Sequence, residues 1–192
     1  MNILMVFFFV ILLAAIALVA YAATIYNNLV RVKRSVDQAW ANIDVLLKQR
    51  HDEIPKLIDA VRGYMTYEKE LLQSVTSLRT QAAQAGEGQA RVQAEGQLGA
   101  TLGRLFAVAE NYPDLKANEN FLELQQELAN TENRIQAGRR FYNVNIKAYN
   151  TRIAQVPFNF LAGIFGFKKR DFFEIKEAKE AENVKTDFTN RP

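Results

Sequence analysis

The 192-residue sequence predicts an all-α protein, a single N-terminal transmembrane helix continuing into an antiparallel up-and-down helical bundle. Three observations carry that expectation. Residues 1–30 contain no acidic or basic side chain. Beyond them, apolar residues recur at steps of three and four, with no sustained period-two alternation. Breakers are few, with four prolines and nine glycines in the whole chain.

The first element is the span. Ile3 to Ala23 is an unbroken apolar run, long enough at about 1.5 Å per residue to cross a ~30 Å hydrocarbon core. Tyr21 and Tyr26 then fall near one headgroup layer, where amphipathic rings are favoured. Ala20-Tyr21-Ala22 resembles a small-x-small cleavage site, but no basic segment precedes the apolar run. The run also exceeds the ~7–15 residue core of a signal peptide, so residues 1–24 read as an uncleaved anchor. Arg31, Lys33 and Arg34 follow the span closely, whereas its other flank offers only the α-amine. The positive-inside rule then puts the N-terminus outside and the C-terminal domain in the cytoplasm.

Residues 25–156 read as the bundle. Ile25, Leu29, Val32, Val36, Trp40, Ile43 and Leu47 line one helical face, and Leu57, Val61, Tyr64, Leu71, Val75 and Leu78 continue a similar stripe. Leu98, Leu102, Leu105, Ala109 and Tyr112 mark a further helix. Phe121, Leu128, Ile135, Tyr142, Tyr149 and Val156 stand seven apart, which is the spacing of a bundle seam. Ala85-Gly86-Glu87-Gly88 marks a hairpin tip, Asn111-Tyr112-Pro113-Asp114 a second break, Asn118 a cap, and Pro157 a stop. Pro55 would cost about 3 kcal/mol inside a helix, so a break or sharp kink between Arg50 and Pro55 is expected, with Asp52 as N-cap. That gives four helices, roughly 24–50, 53–85, 90–112 and 118–156. Without the break, 24–85 would form one long rod of a kinked hairpin.

Little in the sequence points to chemistry. The absence of cysteine removes thiolate nucleophiles and thiolate metal sites, and His51 is the single histidine. His51-Asp52-Glu53 is the one His/carboxylate cluster, but successive side chains on a helix diverge and cannot converge on one metal. No strand precedes a Gly-rich loop, so no phosphate cradle of the nucleotide-binding kind is expected. The net charge of +3 is too balanced to imply nucleic acid. No catalytic residue, metal or cofactor is therefore expected. Thr131, Gly138 and Asn145, three positions after Leu128, Ile135 and Tyr142, place small or polar groups on the seam. There they would permit close backbone approach or fix register.

The last ordered stretch expected is 157–174, followed by a charged, flexible tail at 175–192. Phe158, Phe160, Phe165, Phe167, Phe172 and Phe173 account for six of the chain's thirteen phenylalanines, and Lys168-Lys169-Arg170 lies among them. Burying a Phe is worth about 1.5–3 kcal/mol, so six left in water would be heavily unfavourable. The expectation is a membrane-proximal contact shared between the bilayer surface and an adjacent subunit, the basic triplet facing anionic headgroups.

Tyr26 to Thr76, Leu102 to Pro157 with its AENYPDLKANENF run, and Asn159 to Glu174 together resemble the LemA family of bacterial membrane proteins. AENYPDLKANENF, and TENRI followed by RRFYN, are the distinctive motifs. The resemblance implies an N-terminal anchor and a helical bundle in a bacterial inner membrane. It implies no established enzymatic activity, and a magnetosome membrane protein in the same family points to membrane organisation. The function expected is thus a non-enzymatic, membrane-anchored scaffold that forms a homo-oligomer. The alternative is an accessory or regulatory subunit of a membrane protease or signalling complex. An unrecognised hydrolase or metal-dependent enzyme would instead require a polar cleft around the Thr131–Asn145 seam.

Overall fold

The computed structural model describes residues 3–86 and 88–173. Six helices and no strand occur among them, so the fold class is all-α, with a long apolar N-terminal helix. The expected tail at 175–192 lies outside the described residues, as does Glu87 of the hairpin tip.

Helix α1 (Ile3–Arg62) runs for 60 residues, about 90 Å. Its apolar beginning is exposed on every side, with Ile3 86%, Phe7 66% and Leu18 71% accessible, and it is long and apolar enough to cross a membrane. A helix that is apolar all round and covered by no protein needs an apolar solvent of its own. The protein is accordingly membrane-associated.

Of the break or sharp kink expected between Arg50 and Pro55, the break is absent, because α1 continues through Pro55 to Arg62. Asp52 is therefore no N-cap, and His51-Asp52-Glu53 lies in a helix interior rather than at a helix end. The energies explain why. Pro55 forfeits about 3 kcal/mol on an exposed face, but Ile54, Leu57, Ile58 and Val61 around it are 8% accessible or less. Four such burials at about 1.5–3 kcal/mol each outweigh the proline. The helix stops instead at Gly63, where the Tyr64 and Met65 amides both donate to the Val61 carbonyl, at 3.0 and 2.9 Å.

The chain divides into two compact units. The first comprises residues 1–53 and 126–172. In it α1 meets most of α5 (Glu119–Ala154), together with α6 (Phe158–Ile164). Leu29, Val36, Ile43 and Leu47 of α1 and Ile135 and Ile146 of α5 are completely buried. Trp40 lies against Tyr142, with ring centroids 5.4 Å apart. At Gly138 a side chain would have little room, since a Cβ there would stand 3.1 Å from Ile43 Cγ1.

The second unit comprises residues 54–125 and Phe173. Helices α2 (Lys69–Gln84) and α3 (Gln89–Ala109) pack on each other across the short connection at 85–88. Pro113 opens the one-turn α4 (Pro113–Lys116), where its missing N–H costs nothing. Asn118 caps α5 as expected, accepting from the Phe121 amide at 3.1 Å while its own amide donates to the Tyr64 hydroxyl at 3.1 Å.

Candidate functional site

Of the heptad seam, Phe121, Leu128, Ile135, Tyr142 and Tyr149 are all buried, but Val156 is 72% accessible. The helix ends at Ala154, so the seventh-residue spacing no longer governs Val156. Past that point the chain makes α6, and Gly166 closes it. Its φ of 71° lies in the left-handed region, and the Phe167 amide reaches back to the Ala162 carbonyl at 2.9 Å. That is a glycine helix stop, and a Cβ at this φ would be strained.

The turn delivers an extended basic strap, residues 167–170, onto the first unit's helices. Two side chains of α5 hold its backbone. The Tyr149 hydroxyl donates to the Lys168 carbonyl at 3.0 Å. The Asn150 side chain makes a matched pair, donating to the Arg170 carbonyl at 2.8 Å and accepting the Arg170 amide at 3.0 Å. From α1, Asp37 holds the Arg170 guanidinium at 2.7 Å. Tyr26, just past the span, receives Phe165 at 4.8 Å and Phe167 at 6.1 Å between ring centroids. Burial pushes the Tyr149 hydroxyl above its ordinary pKa, Arg170 opposes that and Asp37 adds to it. The phenol therefore stays protonated and able to donate throughout the physiological range.

Strap and helices form an open cleft of about 650 Å³. Lys33 and Arg34 of α1 and Lys168, Lys169 and Arg170 of the strap line it, with Asp37 as its one lining carboxylate. Among the described residues, Lys33, Arg34, Lys168 and Lys169 have no ion-pair partner. Two of the three flanking cations expected to orient the protein thus also build this cleft, whereas Arg31 is exposed outside it.

The aromatic residues of the segment have separate fates. Phe158 is half-buried beneath the Arg152 guanidinium, 4.9 Å from its centroid. Phe167 is half-buried and Phe173 is 4% accessible. Phe160, Phe165 and Phe172 remain 66%, 55% and 39% accessible, and Ile164 is 74% accessible. Among the described residues, Val156, Phe160, Ile164 and Phe165 are thus exposed apolar side chains close in sequence to the strap, with Phe160 and Ile164 one turn apart on α6.

On the seam, Thr131 is buried and Gly138 admits the close approach to Ile43. Asn145 is half-buried, and its amide donates one turn back to the Phe141 carbonyl at 2.9 Å. A further polar link between the two helices carries no signal in the sequence pattern. Arg50, 1% accessible, holds Glu132 at 2.6 Å between α1 and α5. Among the described residues no group of three His, Cys, Asp or Glu side chains could hold a metal ion.

The model of the LemA family matches residues 39–188. The chain belongs to the LemA family. Two of its relatives are magnetosome proteins MamQ. One, MamQ 2 of Paramagnetospirillum magneticum, is 26% identical over 86% of this chain and 72% of its own length. The other, from Magnetospirillum gryphiswaldense, is 24% identical over the same shares. Protein LemA of Metamycoplasma hominis is 28% identical over 84% of this chain and 73% of its own. The matched region of this LemA-family chain includes the strap and the α1 segment from Ala39 onward, and it begins beyond the apolar span.

Proposed function

We propose that this protein is a non-enzymatic, membrane-anchored helical scaffold that self-associates at the bacterial inner membrane. Its N-terminus would lie outside and its helical domain in the cytoplasm. The observation that carries the proposal is the exposure of the apolar side chains Val156, Phe160, Ile164 and Phe165, the last of which packs on Tyr26 at the end of the span. Anchors confine protomers to one plane, where such a surface can be covered by a neighbour or by the bilayer interface. Phe165 and Phe167 are partly satisfied by Tyr26, so Phe160 and Ile164 are the residues whose exposure an assembly would relieve.

Replacing Phe160 and Ile164 together with serine should reduce the oligomeric fraction of the detergent-solubilised full chain at least several-fold in crosslinking. The far-UV circular dichroism should be unchanged, because both side chains are already exposed. An unaltered crosslinking pattern would remove this surface from the assembly. The orientation is tested separately. Protease added outside intact spheroplasts should leave residues 31–192 intact, as Arg31, Lys33 and Arg34 dictate, and their digestion would reverse the topology.

A further inference from the structure

We infer that the cleft between α1 and the strap binds a phosphate ester, presented as the headgroup of an anionic phospholipid. The inference rests on membrane anchoring but not on self-association. Lys33 and Arg34 stand on one wall and Lys168 and Lys169 on the other, all without an ion-pair partner among the described residues. Among the described residues these four cations line one cleft whose single carboxylate, Asp37, is taken by Arg170, so their summed field there favours an anion. The fifth, Arg170, is already committed to Asp37.

The walls are built rather than incidental. Asn150 and Tyr149 fix the strap's backbone by three hydrogen bonds, so both lysines issue from a held chain rather than a loose one. Asn150 is thus a positioning residue for the cations.

Polarity along the cleft selects the source of the phosphate. Its lining begins at Tyr26 and Phe165, and Lys33 lies seven residues on, about 10 Å farther from the span along α1. Side chains on a helix lean toward its N-terminus, so Lys33 and Arg34 reach back toward the bilayer. An aromatic floor at the membrane side with cations above it matches an amphiphile, phosphate outward and acyl chains inward. A small aliphatic phosphate ester such as glycerol phosphate has no apolar part to place on the rings. At about 650 Å³ the cleft exceeds what a bare phosphate fills.

The test is native mass spectrometry of the full chain in mild detergent, titrated with phosphatidylglycerol, phosphatidylcholine, glycerol phosphate or inorganic phosphate. Phosphatidylglycerol should be retained at one per protomer and in preference to phosphatidylcholine. Lys33→Gln, Lys168→Gln and Lys169→Gln combined should weaken that retention about a hundredfold, each lysine near a phosphate being worth roughly fivefold. A charge-matched control, Lys56→Gln, Lys116→Gln and Lys147→Gln, should retain the lipid. Asn150→Ala should weaken retention with every cation still present. Equal retention of the two lipids, or equal loss in both triple variants, would overturn the site. Retention of glycerol phosphate or inorganic phosphate in place of phosphatidylglycerol would overturn the lipid source. The same spectra report the number of protomers, so a monomer that keeps its phosphatidylglycerol separates failure of the scaffold from failure of the site.

Discussion

Glu132→Ala should destabilise the protein by about 2–3 kcal/mol, a fall of roughly 4–12 °C in melting temperature for a chain of about 150–250 residues. Arg50 is 1% accessible and its guanidinium lies 2.6 Å from the Glu132 carboxylate, so the substitution leaves a cation in the core without that counter-charge. Removing one member of a fully buried pair costs about 3–5 kcal/mol. The Glu132 side chain is 33% accessible, which lets water replace part of what is lost and sets the estimate lower. Glu132→Gln, which keeps an acceptor but no charge, should fall between wild type and alanine. Thermal unfolding of the detergent-solubilised chain checks both. A change under about 0.5 kcal/mol for alanine would mean the pair is a surface contact in effect.

The second large effect concerns the anchor. Leu12 and Ile16 lie one turn apart in the middle of the exposed apolar stretch of α1. An arginine at mid-span costs about 2.5–3.5 kcal/mol for insertion, so Leu12→Arg with Ile16→Arg imposes roughly 5–7 kcal/mol. Most of the doubly substituted protein should leave the carbonate-resistant membrane pellet. If it stayed there in full, the helical domain and strap would be holding the protein to the bilayer without the span.

How much of this was legible in the sequence depends on what kind of partner each residue meets. The seam from Leu128 to Tyr149 was readable because both partners are side chains on regular helices, and a seven-residue period survives in the letters. The same holds for Leu29, Val36, Ile43 and Leu47. A break at Pro55 was expected because a local rule was weighed alone. The apolar residues either side of it supply the larger energy, and that appears only once their burial is known. The strap was out of reach for a different reason. Tyr149 and Asn150 bind the backbone of residues 168 and 170, and a backbone amide or carbonyl leaves no signature of residue type. Arg50 and Glu132, 82 positions apart, likewise carry no periodic signal. The Phe-rich segment was recognised by composition, but composition could not distinguish Phe167, packed on Tyr26, from Phe160, left bare.

Self-association is tested most directly by the mass of the purified full chain. Light scattering with the detergent contribution subtracted should give an integral multiple, two or more, of the 21.8 kDa protomer. That multiple should persist on dilution through the micromolar range. A protein mass of one protomer at every concentration would contradict a self-associating scaffold.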